Sequence, residues 1–175
     1  MINELKRIVE SAEFRLMLRN PKLWNSLNID YHPPHVERLW MPWNNGRLYL
    51  HVIHPCEAKD ALLHPHAWKS AMRVLNIGGH YEQGIGYRIK VDVDGIITKH
   101  DEIVCRQIVQ GEMYYEMTHP AGIHYVRPLL QPVYTIMYAG PVEWPENLFK
   151  ANKELGMLSP DRKEEIANIF KEYLL

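Results

Sequence analysis

His64-Pro65-His66 sets two imidazoles two residues apart, ahead of the run AWKSAMRVLNI (residues 67–77) and the pair Gly78-Gly79. Alternate side chains of a strand share a face, so His64 and His66 would point the same way, their Cα atoms roughly 7 Å apart. At that spacing two neutral imidazoles can converge on one ion about 2 Å from each nitrogen. Imidazole suits iron, zinc, copper and nickel. The pair also lies near a loop–strand boundary, and Pro65, with no N–H to donate, marks an edge position. On spacing alone, a metal pair and two ordinary polar side chains are both open.

Other residues bear on what such a site would act on. An anionic substrate needs a counter-charge. Arg73, Arg88 and Arg127 lie on predicted strands, where an inward guanidinium could grip a carboxylate or phosphate through two hydrogen bonds. Arg73 has odd parity relative to the histidines and is expected to face outward. Tyr81, Tyr114, Tyr115, Tyr125 and Tyr134 offer hydroxyls, and Trp68 shares the parity of His66 as a candidate pocket wall. Tyr81, Glu82 and Arg127 are the candidates for catalytic roles. Cys105, within EIVCRQIV, is expected to be a buried, inert thiol. No G-x-S-x-G elbow, P-loop or G-x-G-x-x-G before a helix is present, and Gly84-Ile85-Gly86 is too short to serve as one.

The elements around these residues follow from periodicity. Leu5, Ile8, Val9, Ala12, Leu16 and Met17 recur at helical spacing, which predicts a helix over residues 1–20 that stops at Asn20-Pro21. Residues 21–35, rich in Asn and Pro, read as a loop with Trp24 and Leu27 docked on the body. Asn44-Asn45-Gly46 between two β-rich runs is a hairpin signal. Further turns fall at Gly78-Gly79, Asp94-Gly95 and Gln110-Gly111, which makes about eight short strands between residues 36 and 140. That spacing is typical of a sandwich or small barrel. Ser159, Pro160 and Asp161 open a helix over 159–174, with Ile166, Ile169, Phe170, Tyr173 and Leu174 on its apolar stripe. The expected architecture is mainly β, a single domain over 1–175 with helices bracketing the strands.

Bulk properties narrow the partners. A net charge of −1 gives no electrostatic footprint for nucleic acid or an acidic membrane. Two cysteines, Cys56 and Cys105, make no disulfide framework and read as free thiols of a reducing compartment. The charged N-terminus is not the apolar core of a signal peptide, and no run approaches the ~18 apolar residues of a membrane span. The expected location is cytoplasmic, and the expected partner is a small molecule.

Over about residues 36–148 the chain resembles the cupin superfamily. His64-Pro65-His66 matches the H-x-H of the first cupin motif, and Gly78 falls where that motif closes. Pro120-Ala121-Gly122-Ile123-His124 is similar to the P-x-G and histidine of the second motif. The stretch HPHAWKSAMRVLNIGGHYE and the closing PVYTIMYAGPVEWPENLF look like a cupin-like group with an H-x-H-P-W-like element. The resemblance implies a double-stranded β-helix, a jelly-roll-like barrel of about eight strands. It also implies a metal site of His64, His66 and His124, as in three-histidine non-haem iron dioxygenases. The chain departs from the motifs at four places. Ala71 or Ser70 stands where the family has its glutamate, Ala58 replaces the opening glycine, Pro128 replaces the asparagine of the second motif, and one residue fewer than usual precedes His124. Other third ligands are His119, Glu82 or Glu116, with His80 on a neighbouring strand. Iron(II) is the favoured ion, with zinc, manganese or nickel as alternatives. The implied activity is an iron(II) dioxygenase on a small polar molecule. The alternatives are an isomerase, epimerase or lyase on the same barrel, or a non-catalytic ligand binder. By analogy with the family, a homodimer is expected.

Overall fold

A computed structural model describes residues 1–30, 32–93, 96–148 and 154–175, with the side chains of 90–100 outside the description. The predicted turn at Asp94-Gly95 lies outside the described residues. The helices are α1 (Ile2–Glu10), α2 (Ala12–Leu18) and α3 (Pro160–Leu174). The strands are β1 (Asn25–Ile29), β2 (Val36–Trp43), β3 (Gly46–Ile53), β4 (His64–Pro65), β5 (Ser70–Gly78), β6 (Tyr81–Val93), β7 (Ile96–Val109), β8 (Tyr114–Met117), β9 (Gly122–Pro128) and β10 (Val133–Ala139).

Strand pairing defines the architecture. From β3 to β10 the antiparallel pairs nest: β3 with β10, β4 with β9, β5 with β8 and β6 with β7. Successive pairs alternate between a six-stranded sheet, ordered β1-β2-β3-β10-β5-β8, and a four-stranded sheet, ordered β4-β9-β6-β7. A two-stranded ribbon wound so that consecutive pairs change sheets is a jelly roll, or double-stranded β-helix. The expected barrel is therefore present.

The six-stranded sheet is covered on both faces. On one, Leu39, Met41 and Trp43 of β2 and Leu48, Leu50 and Val52 of β3 join a cluster with Leu5, Phe14, Leu18 and Phe170 of the helices. On the other, Val36, Arg38, His51 and Ile53 face the barrel interior. Period-two alternation thus separates two interiors rather than inside from outside, which is why β3 reads as an almost unbroken apolar run. Gly78 turns the chain from β5 towards β6 at φ +79°. A Cβ there would lie 2.2 Å from the Pro132 carbonyl oxygen, so only glycine fits.

Three expectations are corrected. The N-terminal helix is two, because Ser11 turns extended and its hydroxyl accepts from Phe14 N–H, capping α2. The break rephases the stripe: Phe14 and Leu18 are buried, while Leu16 is 64% exposed. Residues 21–35 are not all loop, since β1 pairs with β2 from Asn25–Trp40 to Ile29–Val36. Asn and Ser carry little strand propensity, and this strand exists through tertiary pairing. Cys105 is exposed rather than buried. It lies on β7, an edge strand where Val104 and Ile108 are exposed too, so an apolar sequence there does not signal a core.

The remaining elements match. Residues Asn44 and Asn45 connect β2 to β3, with Asn44 at φ 49°. Trp24 is buried and its indole N–H donates to the Met17 carbonyl. Ser159 caps α3 by accepting from Arg162 N–H. Arg162 in turn pairs with the buried carboxylate of Glu37 on β2, which also accepts from His54. Among the described residues no helix is long and apolar enough to cross a membrane.

Phe170 is the side chain that seats α3 on the sheet, its ring edge-on to Tyr134. Phe170→Ala is expected to cost about 3–5 kcal/mol in urea unfolding. A cost below about 1 kcal/mol would mean that α3 adds little to the core.

Candidate functional site

Between the two sheets lies a cavity of about 300 Å³. Its polar lining is His32, Arg38, His51, His64, His66 and His124, with Asn147 at the side. Val36, Ile53, Met72, Val126 and Met137 supply apolar walls.

The strands explain why three of these histidines line the same cavity. His64 on β4 is the cross-strand partner of His124 on β9, so their side chains share a face. His66 lies two residues past His64 and returns to that face, although β4 ends at Pro65. Its Nε2 comes within 2.9 Å of His124 Nε2.

Hydrogen bonds assign the protons. Gln107 Nε2 donates to Gln83 Oε1 at 3.0 Å, and Gln83 Nε2 donates to His124 Nδ1 at 2.8 Å. An amide nitrogen only donates, so His124 accepts at Nδ1 and carries its proton on Nε2. That proton points at His66 Nε2, which accepts. His66 then carries its own proton on Nδ1, facing Ser70 Oγ at 3.4 Å. Gln83 is fully buried, and this chain uses both ends of its amide. On the opposite sheet, Arg38 Nε donates to His51 Nε2 at 3.0 Å. His51 therefore has its proton on Nδ1, from which it donates to Thr135 Oγ1 at 3.2 Å. The Arg38 guanidinium also lies 5.0 Å from the centre of the Tyr49 ring. The rings of His32 and His64 sit 4.9 Å apart.

Burial keeps His51, His64, His66 and His124 neutral. It pushes His64 down to about 4, helped by His32 and His66, and His66 down to about 4, helped by the charge of Arg38. His124 and His51 are also held well below the ordinary value, again chiefly by burial. Among the described residues no Asp or Glu lines the cavity, and Arg38 is its one Arg or Lys. The result is a set of neutral nitrogen donors beside one fixed positive charge.

The other predicted site residues lie elsewhere. His119 is exposed, with Nδ1 accepting from Ala121 N–H and its ring edge-on to Tyr87. Glu116 accepts from Ile2 N–H at the start of α1. Glu82 accepts from Tyr125 and pairs with Arg127 at 3.4 Å, on the face of β6 away from Gln83. Tyr81 donates to the Tyr115 hydroxyl, which donates to Met72 Sδ, so both back the cavity rather than line it. Arg88 clasps Asp101 through two hydrogen bonds. Arg73 pairs with Glu112 and faces away from the histidines, as its parity suggests. Tyr114 and Tyr134 pack against the helix-side cluster, and His80 is exposed. Trp68 lines the cavity, and its buried Nε1 has no hydrogen-bond partner among the described residues.

Arg38, His51, His32 and Gln83 were not singled out from sequence. The first two were within reach, because they are partners across the Asn44-Asn45 hairpin and interrupt apolar alternation on both arms. Gln83 and Gln107 are likewise cross-strand partners, but the pairing of β6 with β7 has to be known first.

No protein-family model and no curated protein matches the chain. Several solved structures share its general shape. Hydroxypropylphosphonic acid epoxidase from S. wedmorenis aligns at 10% identity over 68% of this chain and 56% of that one, with a TM-score of 0.48. An FeII HppE structure aligns at 12% identity over 68% and 57%, with a TM-score of 0.49. Streptomyces albus HEPD, with 2-hydroxyethylphosphonate and Fe(II) bound, aligns at 9% identity over 63% and 22%, with a TM-score of 0.41. The chain spans a little over half the length of the first two. The fold assignment rests on strand order.

The neutral imidazoles make stability depend on pH. Unfolded, a histidine takes up a proton near 6.5; folded, His64 and His66 resist protonation down to about 4. Between those values the unfolded chain holds more protons. Stability is therefore full above about pH 6.5 and falls as the pH drops towards 4, by roughly 3 kcal/mol at most for His66 alone. Urea unfolding of chelator-treated protein at pH 7.5 and 5 is expected to show this loss. His66→Gln should flatten it by about one proton, and an unchanged slope would mean that His66 is not the group held neutral.

Proposed function

We propose that this protein is a metal-dependent barrel enzyme acting on a small, partly apolar anion. His64, His66 and His124 would hold the divalent ion, with iron(II) favoured. The observation that carries this reading is the 2.9 Å between His66 Nε2 and His124 Nε2. Two ligands at a right angle around an ion ~2.1 Å from each stand about 3.0 Å apart. Burial keeps the three rings neutral, which is the state a ligating imidazole needs. Such an ion would offer open positions for a chelating substrate and, as iron(II), for dioxygen.

The chain's own residues would bind and orient the substrate. Arg38, backed by His51 and laid on Tyr49, presents its guanidinium to the cavity and suits a carboxylate or phosphate. The Trp68 indole N–H is a second donor, left for a ligand acceptor. Met72, Val126 and Met137 exclude water from the rest of the molecule. Zinc, manganese or nickel at the same histidines would instead serve an isomerase, epimerase or lyase, and oxygen consumption separates these from a dioxygenase.

A second reading has its own support. Among the described residues no group of three His, Cys, Asp or Glu stands ready to hold an ion, and the His64 ring lies tilted 4.9 Å from that of His32. The charge of Arg38 favours an anion over a cation. On this reading the barrel binds a small anion without metal or catalysis.

Anaerobic loading with Fe(II), followed by desalting and elemental analysis, decides between them. About one iron per chain is expected, with near-complete loss in His66→Ala and His124→Ala and retention in Arg38→Gln. Wild-type protein that retains no iron, zinc, manganese or nickel overturns the metal reading in favour of the anion-binding barrel.

A further inference from the structure

The proton assignment around His124 conflicts with ligation. His66 is ready, since its Nε2 already accepts and its Nδ1 carries the proton. His124 is not, because its Nε2 holds the proton that points at His66. To expose that lone pair the proton must reside on Nδ1, and Nδ1 is where Gln83 Nε2 now donates. A proton on Nδ1 would face an amide N–H, so the two cannot coexist.

We propose that Gln83 and Gln107 form a two-position amide relay that sets which nitrogen of His124 carries the proton, and with it the affinity of the cavity for a divalent ion. This inference rests on the metal reading above for its consequence, though not for the relay itself. An amide rotated by half a turn exchanges its donor and acceptor ends at almost no steric cost. In the observed position Gln107 donates to Gln83, and Gln83 donates to His124. With both amides reversed, Gln83 Nε2 donates to Gln107 Oε1, and His124 Nδ1–H donates to Gln83 Oε1. Both amide hydrogen bonds are kept, the His124 Nε2–H bond to His66 Nε2 is given up, and His124 Nε2 is free to ligate. Reversing Gln83 alone would set two N–H groups face to face, so the two amides move together. Gln83 is fully buried between its partners, whereas Gln107 is half-buried on the edge strand β7 and has room to turn. The relay reaches from the barrel surface to the imidazole. Its two residues are positioning residues, since Gln83 touches His124 only at the nitrogen away from the ion.

The test acts at the far end of the relay. Gln107→Glu places an acceptor-only carboxylate beside Gln83, forcing Gln83 Nε2 towards it and Oε1 towards His124. Gln107→Lys places a donor-only ammonium there and locks the observed polarity. Proton–nitrogen correlation spectra of isotope-labelled histidine in the metal-free protein read the tautomer of His124 directly. The expected result is a proton on Nε2 in the wild type and in Gln107→Lys, and on Nδ1 in Gln107→Glu. Co(II) titration should then show affinity raised ~10- to 100-fold in Gln107→Glu over Gln107→Lys, the usual scale for groups that orient a metal-bound histidine. The added charge at residue 107 would shift affinity by itself, but would not move a proton between the ring nitrogens. A wild-type His124 protonated on Nδ1, or a tautomer identical in the two folded variants, overturns the relay. A tautomer that switches while Co(II) binds none of the three proteins upholds the relay and overturns the metal reading instead.

Discussion

The six-stranded sheet has to bury both of its faces, and the other elements are arranged around that requirement. Strands β2, β3, β5 and β10 carry apolar side chains on their outer face, and these would meet water if α1, α2 and α3 were absent. The helices are therefore part of the core. Covering the outer face leaves the inner one to do something else. Its residues close against the four-stranded sheet, where some positions carry Arg38, His51 and Thr135 in place of aliphatic side chains. A sheet held by packing on one side can tolerate polar groups on the other, provided each finds a partner.

Those partners account for the character of the cavity. His51, His64, His66 and His124 lose hydration there and stay neutral. His51 is held between Arg38 and Thr135, and His124 between Gln83 and His66. Neutral nitrogens beside one guanidinium give a pocket that is polar at a few fixed points and apolar elsewhere, a common pattern for small-molecule sites. The carboxylates expected near the site are spent on other tasks, Glu82 on the outer face and Glu116 at the start of α1.

The sequence was legible where the signal is local. Turns at Asn44-Asn45 and Gly78 follow from residues that tolerate left-handed backbone, and the start of α3 follows from Ser159 and Pro160. His64, His66 and His124 stood out through motif resemblance, and all three line the cavity, with β4–β9 pairing setting His64 opposite His124. What depends on strand pairing was not legible. Strand β1 has an unremarkable sequence and exists because β2 offers it an edge. Cys105 looked buried because apolar neighbours usually mean a core, but β7 has a neighbour on only one side. Arg38 lay in plain view, and it gained meaning only once His51 was known to stand across from it.

Nested pairing also bears on how the protein comes to fold. The β6–β7 hairpin closes the shortest loop of the four pairs, and each pair outside it closes a longer one around it. His66 and His124 are 58 residues apart in the chain, and they meet only when the third of those pairs, β4 with β9, has formed. A ribbon that zips outward from its tip thus acquires its cavity late, after most of the four-stranded sheet is in place. The imidazoles consequently remain hydrated and open to protonation until the barrel is nearly closed. A partly folded chain in this scheme would carry histidines with ordinary acidity, and only the finished molecule would carry a neutral cluster.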